Sequence, residues 1–358
     1  MYEYKYHKYK NKYLNLKNTK SNKKMNDPIF ETTINYINDM IDTRNVNIVA
    51  MGEATHGQEK ITKLRIKIFK QLAKKNNFTV FVLEEQYSLC ELINDWIHNK
   101  SSFELDYLFK QLMWPWKSFQ MHKLLIWMKK YNEANNNLLE FKGIDVQSKS
   151  PDYDAKDDIS IYAENIVNKL NALNDTINSE SGEDCFSLRD KSMFEIFMKI
   201  YDPNKKYFIH AHNGHLSKGR AYQDFLDLGY FLSKKFKTKY LVIGNSFNGR
   251  YYAGFDVSNN NYNFGIADFG GQLDFSKLIF YNKETDNYDL IDYDPNLILS
   301  DGLTTDTDVN FSKKYFVESG AQLNIANPYK MIGMYSANGY YDAIIQIPDE
   351  QAIKLYKN

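Results

Sequence analysis

Five short apolar runs, separated by amphipathic stretches of helical period, leave this chain few folds to adopt. The runs are Val46–Met51, Phe78–Leu83, Leu138–Val146, Lys206–Ala211 and Lys239–Ile243. Between and around them the spacing predicts helices from Asp27 to about Asp42, then over Gln58–Lys75, Leu89–His98, Ser118–Asn135 and Tyr222–Phe236. Asp27-Pro28 suits a helix start, because proline costs nothing at the first helical position. In Gln58–Lys75 the residues Ile61, Leu64, Ile68 and Leu72 recur every three or four positions. Strands alternating with helices predict an α/β fold with a mainly parallel central sheet and helices on both faces. Residues 151–200 read as helix without an intervening strand, a short helical insertion, and a last strand is expected at Asp342–Ile347. The pattern does not place residues 260–325.

The runs share a second property, which is that each ends in polar groups. Val46–Gly57 reads V-N-I-V-A-M-G-E-A-T-H-G, so Gly52, Glu53, Thr55, His56 and Gly57 follow directly on a buried strand. The second run ends in Glu84-Glu85, the third in Gly143-Ile144-Asp145-Val146-Gln147 and the fourth in His212-Asn213-Gly214-His215. In a parallel sheet such ends converge on one edge, where open α/β sheets bind ligands. Glu53, His56, Glu84, Asp145, His212 and His215 are therefore expected on one rim, although they come from distant parts of the chain. A carboxylate three residues before an imidazole can fix its tautomer and raise its basicity. Two glycines let the backbone bend sharply or approach a ligand closely. The stretch Gly52–Gly57 also fits a capped turn with His56 solvated, and Asp145 fits a turn cap as well as a place behind the rim.

Charge is balanced overall but unevenly spread. With 45 Lys and Arg against 45 Asp and Glu the net charge is zero, yet residues 1–26 hold eight Lys and one Glu. That leader is thus +7 and residues 27–358 sum to −7. Tyr and Lys interleave through the leader, a pattern that single-strand nucleic-acid binders use, and that a solvated leader or short helix also shows. Residues 27–358 are too acidic for nucleic acid to be an expected partner. Two cysteines, Cys90 and Cys185, make no disulfide framework and suit a reducing compartment, here the cytoplasm. No apolar run reaches 18 residues and no signal core opens the chain, so neither membrane spanning nor secretion is expected. The expected organisation is the leader, 1–26, followed by a single domain, 27–358, with its insertion at about 151–200.

Familiar nucleophilic sites can be set aside. Gly244-Asn245-Ser246-Phe247-Asn248-Gly249 is one residue too long for a nucleophile elbow, and no helix follows it. Cys90 lies on a helix face beside Leu89, Leu92 and Ile93, which fits packing. No phosphate-binding loop or dinucleotide fingerprint is present. A set rich in His and Glu remains, which points to hydrolysis by water activated through a histidine or a metal.

These residues resemble the erythromycin esterase family. The likeness lies in G-E-A-T-H-G (52–57), Arg65, Glu84, W-P-W-K (114–117), L-L-I-W-M-K-K-Y-N (124–132) and G-I-D-V-Q (143–147). It continues in L-R-D-K-S-M (188–193), A-H-N-G-H (211–215), M-I-G-M-Y (331–335) and Y-D-A-I-I-Q-I (341–347). The resemblance implies an α/β hydrolase, with a helical insertion, that cleaves an ester or macrolide lactone, an activity tied to antibiotic response. It assigns His56 the general-base role, worth roughly 10²–10⁴-fold in rate. It matches Glu53, Arg65, Glu84, His212 and His215 to further functional positions. Glu53 and Glu84 would then orient water or an imidazolium, and Arg65, His212 or His215 would stabilise the oxyanion. Trp114, Trp116, Lys117 and Asn213 are the expected substrate contacts. The leader resembles Tyr/Lys-rich leaders of large AT-rich DNA viruses, for which the compartment would be host cytoplasm.

No cofactor is expected. The alternative is a divalent metal such as Zn or Mn on Glu53, His56, Glu84, His212 and His215, although no compact motif such as H-E-x-x-H is present. A non-catalytic small-molecule-binding homologue is the other alternative. The sequence departs from the family in its short insertion, in Lys117 where Arg is commoner, and in His210 where a bulky apolar residue is usual. His210 is expected to be a core histidine with its hydrogen bonds satisfied, a third imidazole at the site being the other reading. The partner is a small-molecule ester or lactone, and the oligomeric state is not legible.

Overall fold

The computed structural model describes residues 28–53, 56–136, 138–154, 157–176, 182–218, 226–247 and 341–347, with strands at 251–256, 261–266, 277–282, 287–292, 316–319 and 332–335. The leader, 1–26, lies outside the described residues. The first two thirds alternate as the sequence predicts: α1 (Pro28–Arg44), β1 (Ile48–Glu53), α2 (Glu59–Asn76), β2 (Phe78–Gln86) and α3 (Tyr87–Ile97) come first. They are followed by α4 (Leu105–Gln111), a 3₁₀ turn (Trp114–Trp116), α5 (Phe119–Ala134) and β3 (Glu140–Asp145). The insertion is a helix pair, α6 (Asp158–Thr176) and α7 (Gly182–Ile200). Then come β4 (Lys206–His212), the short α8 (Asn213–Leu216), α9 (Leu228–Phe236) and β5 (Tyr240–Phe247). The last third is strand: β6 (Tyr251–Asp256), β7 (Asn261–Ile266), β8 (Lys277–Asn282), β9 (Asn287–Asp292), β10 (Phe316–Ser319), β11 (Ile332–Tyr335) and β12 (Ala343–Ile347).

Eight strands form the main sheet in the order β3-β2-β4-β1-β5-β12-β8-β9, and β6–β7 and β10–β11 are separate antiparallel pairs. From β3 to β8 every pairing is parallel, and only β9 runs antiparallel at the edge. β4 lies between β1 and β2, so the order reverses at the centre of the sheet, the position at which such sheets open a ligand crevice. One face carries a core that includes Ile37, Ile61, Ile68, Phe69, Ile93 and Leu125, from α1, α2, α3 and α5. The opposite face carries Ile166, Val167, Ile196, Phe197 and Leu232, from α6, α7 and α9. Every residue of β1 and of β2 is buried, which is why these strands read as continuous apolar runs. Across three adjacent strands Phe81 stacks on Phe141 at 5.7 Å and on Phe208 at 5.8 Å, with Phe69 of α2 edge-on at 4.9 Å. Such pairs add about 0.5–1.5 kcal/mol each beyond their burial.

Two expectations shift. The helix expected over Tyr222–Phe236 begins at Leu228, because Asp227 is extended and ends the preceding segment, while 221–225 lie outside the described residues. α4 was not anticipated, being only seven residues long. Gly244-Asn245-Ser246 runs on as strand inside β5, consistent with its not being an elbow. Cys90 is buried in the core, and burial, with Glu85 and Glu91 nearby, pushes its thiol up. Among the described residues no helix is long and apolar enough to cross a membrane.

Candidate active site

The carboxyl ends of β1, β2 and β4 meet where the sheet order reverses. In register, Glu53 lies beside His212 and Met51 beside His210. Gly52 is needed for this closeness: a Cβ there would fall 2.1 Å from Asn213 Oδ1. The chain leaves β1 through Gly57, whose φ of 84° suits glycine, and enters α2.

His56 Nδ1 donates to Glu53 Oε1 at 2.6 Å, and both side chains are buried. Glu53 Oε2 accepts from Arg65 Nη2 at 2.5 Å, while Arg65 Nη1 donates to the Met51 and Ala211 carbonyls at 3.2 and 3.4 Å. Arg65 sits on the apolar face of α2 with Ile61, Leu64 and Ile68 and is fully buried. A guanidinium there must pair, and it clamps Glu53 beneath the rim instead of reaching over it.

Glu84 ties three elements together. Its Oε2 accepts the His212 backbone N–H at 2.8 Å, while its Oε1 lies 3.0 Å from Arg189 Nη2 and 3.2 Å from His215 Nε2. Burial opposes its ionisation, but His215 and Arg189 outweigh burial and hold the carboxyl well below the usual range. Arg189, from the insertion, also grips Asp145 with two bonds of 2.9 Å. Asp145 accepts from Val146 N as well, so it is at once a turn cap and a support behind the rim. Burial again opposes its charge, and Arg189 prevails.

His215 Nδ1 lies 2.7 Å from Asp190 Oδ1. Burial disfavours its charged form, yet Asp190 and Glu84 raise its pKa well above the ordinary imidazole value, although Arg189 Nη1 at 3.2 Å from Nε2 pulls the other way. With carboxylates at both nitrogens we take the imidazolium to prevail. His215 thus belongs to a charge network with Glu84, Asp190 and Arg189, and its side chain is more exposed than that of His56. The network's Arg189 and Asp190 were not singled out as site residues by sequence reasoning. Their signal was present: Asp190 shares a helical stripe with buried Met193 and Phe197, where a carboxylate requires a partner.

His212 caps α8, its Nδ1 accepting from Gly214 N at 3.4 Å, and its ring centroid lies 5.0 Å from that of His56. Trp116 is buried and near-perpendicular to both the His56 and the His210 rings, with centroids 5.5 and 5.1 Å away, and its indole N–H donates to the Glu84 carbonyl at 2.6 Å. The Trp114 side chain lies outside the described residues. Lys117 is half-buried beside Glu85; burial lowers its pKa and Glu85 opposes that. Asn213 is fully buried, with Nδ2 donating to the Asn245 carbonyl at 2.9 Å and Oδ1 accepting Asn245 N–H at 3.2 Å. It braces β4 against β5 and does not face outward.

His210 differs from expectation. It is fully buried, but neither ring nitrogen has a hydrogen-bond partner among the described residues. It is a core histidine, and an unsatisfied one.

Among the described residues no group of three His, Cys, Asp or Glu side chains is arranged to hold a metal ion. Glu53 and Glu84, which a metal would need as donors, are engaged by Arg65 and His56, and by Arg189 and His215.

Fold and site together define a parallel α/β protein with a His–Glu–Arg constellation at the switch point of its sheet. The sequence model of the erythromycin esterase family matches residues 73–169 and 150–261, more than half of the chain, and the chain belongs to that family. The matched residues exclude Glu53, His56 and Arg65 and include Glu84, Arg189, His212 and His215. An Escherichia coli protein, "Erythromycin esterase type II", is 27% identical over 113 residues, 31% of this chain; the match spans 26% of that protein's length. Three solved structures share the fold. A Bacillus cereus protein has a TM-score of 0.55 at 16% identity, covering 90% of this chain and 94% of its own. A succinoglycan biosynthesis protein has 0.54 at 15%, covering 93% and 100%. A histidine mutant of an erythromycin esterase, in its open conformation, has 0.52 at 12%, covering 92% and 98%.

Proposed function

We propose that the protein is a carboxylic ester hydrolase, cleaving a small-molecule ester or lactone with water activated by His56 and no metal. The observation that supports it most directly is the 2.6 Å contact between His56 Nδ1 and Glu53 Oε1, with Glu53 itself clamped by Arg65. Glu53 fixes the tautomer with its proton on Nδ1, so Nε2 is the basic nitrogen. Nε2 takes a proton from water as the water oxygen bonds to the ester carbonyl carbon. The carbonyl oxygen then bears negative charge until the intermediate collapses, the carbon–oxygen bond to the leaving group breaks, and the imidazolium returns its proton to that oxygen. Glu53 stabilises the transient imidazolium. Arg65 acts through Glu53, as a positioning residue. On this reading His212 donates to the oxyanion, which its ring centroid 5.0 Å from that of His56 supports. Glu84 fixes the His212 backbone.

A short insertion and Lys117 leave the substrate class wider than macrolides, so the test is a screen of simple esters, lactones and macrolides on purified protein. Hydrolysis that survives exhaustive chelation, and falls at least about a hundredfold in His56→Ala with the fold intact, is expected. Wild-type-like turnover in that variant would remove His56 from the mechanism. Loss of activity on chelation, restored by Zn or Mn, would favour the metal reading. Binding of a macrolide without any turnover would favour the non-catalytic one.

A further inference from the structure

Among the described residues near His56, two fully buried polar side chains, Gln58 and His210, have no hydrogen-bond partner for either polar atom, and His210 is the one that packs against the same indole as His56. It follows Phe208 on one face of β4 and precedes His212 on that same face, since side chains two apart on a strand point the same way. Its neighbours in register are Met51 on β1 and Leu83 on β2. Its ring meets Trp116 edge-on at 5.1 Å and Phe81 at 5.8 Å. Trp116 meets His56 at 5.5 Å, so one indole is the shared wall between the proposed base and this second imidazole. Neither nitrogen of His210 is hydrogen-bonded among the described residues. Burial, and then the nearby Arg65 charge, lower its pKa well below the ordinary value against the pull of Glu84. The ring is therefore neutral, with one N–H and one lone pair.

A buried imidazole with both nitrogens bare costs stability. Each polar group left unmade carries a penalty on the order of 1–3 kcal/mol, and more than about 90% of such groups in folded proteins are paired. Leucine or phenylalanine between Phe81 and Trp116 would avoid that cost. Positions that break a local rule without compensation in the fold concentrate at functional sites.

We propose that His210 is a specificity-determining residue, one of whose ring nitrogens completes its hydrogen bond with a hydroxyl or carbonyl group of the substrate lodged on the far side of Trp116 from the scissile ester. This rests on the hydrolase reading, since it concerns what that site accepts. An ester bearing such a group is preferred over its hydrocarbon counterpart, because a site built to pair a polar group discriminates against the analogue that leaves it unpaired.

The test compares ethyl hexanoate with ethyl 3-hydroxyhexanoate, ethyl 5-oxohexanoate and ethyl 6-hydroxyhexanoate, with acid release followed by pH-stat. Wild type is expected to favour at least one polar ester by about tenfold or more in kcat/KM. In His210→Leu that ratio falls to within about twofold of one, while the melting temperature rises because the bare nitrogens are gone. His210→Gln, which keeps a donor and an acceptor, retains part of the preference. If His210→Leu does not fold, His210→Phe takes its place and must lose the preference likewise. No preference in wild type, or a preference undiminished in His210→Leu or His210→Phe, overturns the assignment. If wild type hydrolyses none of the four, the hydrolase reading has failed for these esters, and recognition is read separately from thermal shifts with free 6-hydroxyhexanoate and hexanoate. A shift with the hydroxy acid only, absent in His210→Leu, supports the recognition role; equal shifts, or none, remove it.

Discussion

Replacing Arg189 with methionine strips the cation from the buried network behind the rim. The guanidinium makes two 2.9 Å bonds to Asp145 and one of 3.0 Å to Glu84, and both carboxylates are buried. Removing one partner of a buried ion pair costs roughly 3–5 kcal/mol, because the other charge is left desolvated. Here two carboxylates are affected, but His215 still faces Glu84, and Gln147 and the Val146 N–H still face Asp145. The low end, about 3 kcal/mol at neutral pH, is therefore the expected loss in urea denaturation. Both carboxyl groups are held below their ordinary range in the wild type. Their contribution is present above the unfolded values of ~3.9 for Asp and ~4.3 for Glu, and is lost as pH falls through the depressed folded values. The gap between wild type and Arg189→Met should accordingly narrow as pH is lowered below about 4. Arg189→Lys should recover only part of the loss, since an ammonium cannot reproduce the two-bond grip on Asp145. A deficit below about 1 kcal/mol at pH 7, or one that does not change with pH, would refute the network as described.

Further expectations concern titration and packing. Burial pushes the Glu85 carboxyl up to about 8 against the Gln86 and Met113 N–H donors, so stability should fall as pH rises from the usual carboxylate range through about 8; Glu85→Gln should flatten that limb in pH-dependent urea melts. His210 behaves oppositely. Its folded pKa is depressed, so the unfolded chain takes up the proton first and stability drops as pH falls below ~6.5, an effect His210→Phe should remove from the acid limb. Gly52→Ala should cost about 1–3 kcal/mol by driving a Cβ into Asn213, and a double-mutant cycle with Asn213→Ala should show favourable coupling; strict additivity would contradict the contact.

The parallel sheet was legible because its strands are buried on both faces, so Val46–Met51 and Phe78–Leu83 read as apolar runs with polar ends. The rim followed from topology alone: Glu53, His56, Glu84 and His212 needed only to stand at strand ends. What each of them touches was not legible. Arg65 carries a charge on an apolar helical stripe, yet only the fold shows it turned beneath the rim onto Glu53. His215 has the spacing of a rim residue, but its pairing with Asp190 and Glu84 was not legible. Arg189 and Asp190 arrive from an insertion whose docking on β2 and β3 no local pattern encodes. In the last third, β8 and β9 lengthen the sheet beyond β12, and their weak alternation among Asn and Tyr gave no period to read.

The place of β4 has a consequence for how the molecule is made. β1, β2 and β3 are all synthesised before it, yet β1 touches neither of the others except through β4. A nascent chain that ends before Lys206 thus holds a β2–β3 pair and a solitary β1, each with unpaired backbone edges. Contacts closing such long stretches of chain are slow to form, and open parallel edges invite association with other chains. Central closure waits for the segment Lys206–His212, which both joins the sheet and delivers His210 and His212. The chain therefore acquires a continuous core and its second and third site histidines in one event, and a ribosome-stalled series should show protease resistance appearing abruptly once that segment has cleared the exit tunnel.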